Sequence, residues 1–361
     1  MANTANKVAR DSTLANVATA NQGMASTLIE IRNALQAHNT AFSTWAGNLS
    51  TLTTGEKTSL VAAINWLLTQ LNAHKNSSAL HDVYALLDEA STAETGSGIH
   101  NSLYRGKNLG SGLTSDQLAR VNDGTFKGLW LGDYVSKSVT TNYYVPPRDA
   151  NGYAIQGDDT VTSLTVTPQM AILDHDYYIR SGDTIDLAQH HLNMGPLASL
   201  YSAPMNKKNA SGANFTTGAY ALSEMRTKYL GAATNIFEAI FGAAHLLSYR
   251  GHLQNAVTDG RPSGGAWCDC KVELMDERQV YGGLVFDSGA ANGANVYNRY
   301  SVNTKQFNLF RMRPDLISNR QWYWLTNVVS AVCFANVGDA GHAGSNGASL
   351  VSGVRPAALI Y

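Results

Sequence analysis

Apolar positions in the first part of the chain recur at alternating spacings of three and four: Leu14, Val17, Asn21, Met24, Leu28, Ile31, Leu35, His38, Phe42, Trp45, Leu49 and Leu52. An a/d seam sustained over residues 14–52 predicts a coiled coil. Asn21 and His38 place polar groups inside the seam, which lowers stability while fixing register and strand number, and the Leu and Ile31 placement leans toward three strands. A helix packed on its own chain's core would use the same spacing. Thr53 and Glu56 stand at capping-box spacing and announce a second helix over about residues 55–75, continued by Leu60, Ile64, Leu67, Leu71 and His74. A short helix over 82–90 and a Ser/Thr/Gly linker over 91–98 follow. Residues 1–95 therefore read as a helical stalk and attachment region, oligomeric through the seam.

From residue 99 the period shortens. Residues 160–167 alternate strictly and predict a strand, and 128–134, 271–275, 283–286, 322–325, 332–335 and 352–356 are further strand candidates. Thr114 is placed to cap a helix over 114–123 whose Leu118 and Val121 face inward. A second helix over 223–241 carries the apolar stripe Met225, Tyr229, Leu230, Ala233, Ile236, Phe237 and Ile240. Only Gly23, Gly47 and Gly55 of the 32 glycines precede Gly96, and all 8 prolines lie at or beyond Pro146. Helix breakers thus concentrate in the second part. The expected fold class is α+β: a helical stalk, then a head of short strands and long glycine-rich loops over 99–361.

Composition narrows the function. Charged residues are 15% of the chain and the net charge is −1, so no basic field holds nucleic acid or an anionic membrane. No run approaches 18 apolar residues, which argues against membrane insertion. The first residues lack the apolar stretch of a signal peptide, so synthesis in a cytoplasm is expected. Three cysteines, Cys268, Cys270 and Cys333, are too few for a disulfide framework.

Chemistry-bearing motifs are scarce. The chain has no H-E-x-x-H helix, no P-loop and no G-x-S-x-G elbow. Asp174, His175, Asp176, Asp183, Asp186, His190 and His191 form the densest titratable stretch, which reads as a solvated loop ahead of a metal site. Cys268 and Cys270 share one face of a strand but lack two further zinc ligands, so packed thiols are expected. No catalytic residue, metal or cofactor is assigned.

The tail combines an aromatic strand with closely spaced glycines. Gly338, Gly341, Gly344 and Gly347 keep the backbone turning, which would project Asn336, Asp339, His342, Ser345 and Asn346 from exposed loops. Tyr323-Trp-Leu-Thr-Asn-Val-Val-Ser-Ala331, Phe334-Ala-Asn-Val337 and Gly353-Val-Arg-Pro-Ala357 resemble the C-terminal variable region of retroelement-diversified phage proteins. Those proteins carry a C-type-lectin-like fold, as in major tropism determinants. Residues 102–109, 272–275, 280–282 and 310–315 resemble other segments of such virion proteins, and residues 52–65 resemble helical segments of phage tail and fibre proteins. Thr326-Asn327 departs from the Arg-Asp typical after the Trp-Leu pair.

The resemblance implies a variable-type region over about 320–361. Its exposed, replaceable set would be Asn327, Val332, Cys333, Asn336, Gly338, Asp339, His342, Ser345, Asn346, Leu350 and Val351. Tyr323, Trp324, Phe334, Val354, Arg355 and Pro356 would be scaffold. Adenine-directed randomisation of asparagine codons cannot yield Lys, Gln, Glu, Met or Trp, and residues 325–361 contain none of these. The function implied is that of a phage receptor-binding fibre protein: a trimer in the virion that attaches through its N-terminal region to other phage structural proteins and recognises a protein or glycan on the bacterial surface. Trp322 or Tyr323 would serve as anchors. A purely structural head, collar or tail protein is the alternative, and an enzyme is not expected.

Overall fold

The computed structural model describes residues 2–46, 83–179, 187–258, 261–286 and 305–361, the side chains of residues 2–6, 42–46, 250–258 and 261–268 excepted. The chain divides into two compact units, Met1–Leu80 and His81–Tyr361. In the first, α1 (Ala2–Ala46) is one continuous helix. Its threonines do not interrupt it, because Thr13, Thr19, Thr27 and Thr40 each donate a side-chain hydroxyl to the carbonyl one turn back. Leu14, Val17, Met24, Leu28, Ile31 and Leu35 are all exposed on it. The helix expected over 55–75 lies outside the described residues.

The second unit is sheet-rich, so the chain is a mixed α+β protein. It opens with α2 (Val83–Ala90), α3 (Gly96–His100) and α4 (Ser115–Asn122). Tyr84 of α2 packs edge-on against Trp130 at 5.0 Å, and Asp88 accepts from the Gly128 amide. The 91–98 stretch is therefore not the free linker its composition suggests: Ser91 and Gly96 are buried, and a Cβ at Gly96 would strike the Gly124 carbonyl. Thr114 caps α4 in a full capping box with Gln117, as its position in the sequence predicts.

Fourteen strands are described among these residues: β1 (Tyr134–Ser136), β2 (Val139–Val145), β3 (Thr160–Val166), β4 (Gln169–His175), β5 (Leu192–Pro196), β6 (Tyr201–Ala203), β7 (Tyr249–Thr258), β8 (Arg261–Cys270), β9 (Val272–Leu274), β10 (Tyr323–Val328), β11 (Cys333–Val337), β12 (Ala343–Gly347), β13 (Ser352–Val354) and β14 (Pro356–Ile360). Three more helices lie between them, α5 (Gly231–Phe241), α6 (Glu277–Tyr281) and α7 (Asn308–Met312). One five-stranded sheet runs β1-β4-β5-β14-β9 and the other β12-β11-β10-β13-β6, with β2-β3 and β7-β8 as separate hairpins. Only β10 and β13 pair in parallel; the other strand pairs are antiparallel. β13 and β14 are separated by Arg355 alone, so the last ten residues pass from one sheet into the other.

Burial explains these strands. In β10, Trp324 enters one apolar cluster while Tyr323 and Leu325 enter the other; β14 splits Ala358 and Ile360 from Ala357 and Leu359 in the same way. Both strands are covered on both faces, and both read as nearly continuous apolar runs. The stripe predicted for residues 223–241 is buried at every position named, yet the helix is broken: Met225–Tyr229 forms a π-helical turn before α5 begins. Residues 128–134 and 283–286 are not strands, apart from the first residue of β1.

Candidate functional site

β11 and β12 form an antiparallel hairpin that pairs Cys333 with Gly347 through Val337 with Ala343. This replaces the open glycine loop expected of the tail. Among its glycines only Gly341 takes the left-handed backbone region, with φ 90°. Gly344 is needed for space: a Cβ there would lie 2.7 Å from Asn336 Oδ1 and 3.3 Å from the Trp322 ring. The turn between the strands is clamped from outside, since Ser318 Oγ donates to the Asp339 carbonyl at 2.6 Å and Tyr281 to the Gly341 carbonyl at 3.1 Å.

The replaceable set divides on inspection. Val332, Asp339 and His342 are exposed, and Cys333, Ser345, Asn346, Leu350 and Val351 are half-buried. Asn327, Asn336 and Gly338 are buried, which corrects their placement on the surface. Asn327, only 1% exposed, accepts from the Glu277 amide at 2.7 Å and so holds the start of α6. Asn336 lies on the inner sheet between Trp324 and Gly344, and Gly338 is covered by the His342 ring. The six expected scaffold residues, Tyr323, Trp324, Phe334, Val354, Arg355 and Pro356, are all buried. Tyr323 is thereby removed as a surface anchor; burial also pushes its hydroxyl pKa up.

Of the two expected anchors only Trp322 is exposed, at 37%, and it lies edge-on to His342 at 5.3 Å. It borders a recess of about 520 Å³. Asp339, Asn346, Leu350 and Val351 line this recess, together with Arg320, Gln321 and Ser352. Sequence reading did not single out those last three. Their signal is adjacency: two precede the aromatic strand and one opens β13. Arg320 stands in the left-handed region at φ 60°, a conformation costing about 1–2 kcal/mol in a non-glycine residue. Asn319 holds it there by accepting from the Gln321 amide and donating to Ser199.

The acidic and histidine-rich stretch is not a solvated loop. Asp174, His175, Asp176 and His191 are buried; Asp183 and Asp186 lie outside the described residues. Asp174 accepts from Asn101 and twice from Asn308, and burial raises its pKa to about 6. His191 donates from Nδ1 to the Gln189 carbonyl and accepts from the Tyr178 amide at Nε2, so the packing requires its neutral form. Burial lowers the pKa of His100, His175 and His191 alike. Asp174 ties β4 to Asn101, just past α3, and to the start of α7. No group of three or more His, Cys, Asp or Glu side chains suited to hold a metal occurs among the described residues. Cys270 is buried and Cys333 half-buried.

Comparison with family models, with curated proteins and with solved structures found no match. No helix among the described residues is long and apolar enough to cross a membrane.

Proposed function

We propose that this chain is a phage receptor-binding fibre protein, in which a trimeric coiled coil assembles and attaches the molecule and a C-type-lectin-like head recognises a bacterial surface. One observation carries the reading: eight of the residues implied as replaceable are exposed or half-buried, while every implied scaffold residue is buried. Such a surface changes its side chains without disturbing the core. The exposed apolar face of α1 supports assembly, because a lone helix draws little stability from its own hydrogen bonds and gains most of it by packing. Three modest sites on one particle then bind with an avidity none has alone.

The test is adsorption of the purified full chain to a panel of bacterial strains, beside a variant with Val332, Asp339 and His342 replaced together. Strain-selective adsorption of the parent, lost or redirected in the variant at an unchanged melting temperature, is the expected result. Adsorption indifferent to the replacement, with altered particle integrity, assigns the chain to a structural collar or decoration role.

A further inference from the structure

The recess beside Trp322 has two kinds of wall. Asp339, Asn346, Leu350 and Val351 belong to the replaceable set; Arg320, Trp322 and Ser352 do not. We infer that the recess is a carbohydrate subsite for a pyranose ring, in which Trp322 and Arg320 supply contacts common to sugars and the residues implied as replaceable select among them. The inference rests on the adhesin reading and adds the ligand class.

The chemistry of the lining favours a sugar over a protein. A protein interface is built around an apolar core depleted of charge. Here Arg320 and Asp339 line one small recess, and neither forms an ion pair with a described residue. A guanidinium donates and a carboxylate accepts, so together they match hydroxyl groups, which do both. Trp322 provides the apolar counterpart: the C–H face of a pyranose is apolar and carries partial positive charge, and it suits the negative face of an indole. The volume falls within the range of small-ligand sites.

Ser352 borders the recess without offering its hydroxyl to it: the residue is 4% exposed, and the oxygen is shielded from solvent and has no hydrogen-bond partner among the described residues. Gly344 completes the arrangement by keeping a side chain off Trp322, and the clamped turn holds Asp339 in place without help from the ligand.

The full chain, immobilised, is challenged with an array of bacterial surface polysaccharides, with free methyl glycosides as competitors. Saturable retention of pyranose polymers that the glycosides displace is expected. Trp322→Ala should lose at least tenfold in affinity on every retained glycan, Trp322→Phe should stay within about threefold of the parent, and Asp339→Asn should change which glycans are kept. Retention of no glycan, or full binding by Trp322→Ala, overturns the proposal. A second arm separates it from the reading beneath it: strains that adsorb the chain are treated with periodate, which cleaves vicinal diols, or with protease. Adsorption abolished by periodate supports the sugar. Adsorption abolished by protease alone removes the sugar and keeps the adhesin, and a panel in which no strain adsorbs the chain removes both.

Discussion

Arg355 is fully buried and meets no carboxylate among the described residues. Its guanidinium donates to the carbonyls of Pro196, Leu316 and Ile317 and to the Tyr323 hydroxyl, and it lies over the Phe310 and Tyr323 rings at 5.2 and 5.0 Å. A planar fork reaches three carbonyls at once, which an ammonium cannot. Arg355→Ala strands those carbonyls in the interior and should cost about 3–5 kcal/mol in chemical denaturation, with Arg355→Lys recovering only part. The histidines make a second residue-scale prediction. Their folded pKa values are depressed, so folding requires them neutral, and stability is lost as pH falls through the unfolded-state value near 6.5. Asp174 has the opposite sign, because its folded pKa is raised to about 6: the native state takes up that proton first and gains stability between about pH 6 and 4. The three rings outnumber the two buried carboxyls that oppose them, Asp174 and Glu273, both of whose pKa values burial raises. The melting temperature should therefore fall between pH 7.5 and 5.5, and His191→Gln, whose side chain keeps a donor and an acceptor, should flatten the slope. A profile unchanged by that substitution removes the account.

At the scale of elements, legibility followed burial symmetry. β10 was readable because both of its faces are covered and its first three residues are apolar in succession; β14, covered on both faces as well, was touched only at Pro356 by the candidate over 352–356. β12 was not: Ala343–Gly347 is small and polar, and the hairpin exists because β11 pairs with it and Gly344 makes room for Asn336 and Trp322. The same cause hid Asn336 itself. On one strand its type suggests a surface residue, and only the neighbouring strands cover it. β7 and β8 went unseen because residues 249–270 mix glycine, proline and charge without alternation. α1 was legible from its period alone, since residues 2–46 contain one glycine and no proline. Under the proposed function, that period specifies a partner helix. Leu28→Glu with Ile31→Glu should convert an oligomer into monomers in sedimentation, at a head melting temperature unchanged; Asn21→Leu should raise thermal stability and mix oligomeric states, because the polar seam position that sets register is gone. A monomeric parent chain sinks both expectations.

On the scale of the whole molecule, the proposed function gives the C-terminal forty residues two jobs that conflict unless they are kept on different side chains. The same strands that carry the positions implied as replaceable also link the two sheets, with Arg355 at the crossing and Tyr323 and Trp324 filling one cluster each. Substitution should be tolerated there only where a side chain leaves the sheet for solvent. That division makes a sharp prediction within the β10–β12 segment. Asp339→Ala, His342→Ala and Val332→Ala should each shift the melting temperature by little, within the ±0.5 kcal/mol usual for surface positions. Asn327→Ala leaves the Glu277 amide unpaired in the interior and should cost about 1–3 kcal/mol. If thermal denaturation ranks the four alike, the buried and exposed members of the implied set are not distinct, and the surface cannot vary independently of the core. If the ranking holds, adsorption should follow the exposed three and stability the buried one, because recognition and folding then draw on separate atoms of one strand pair.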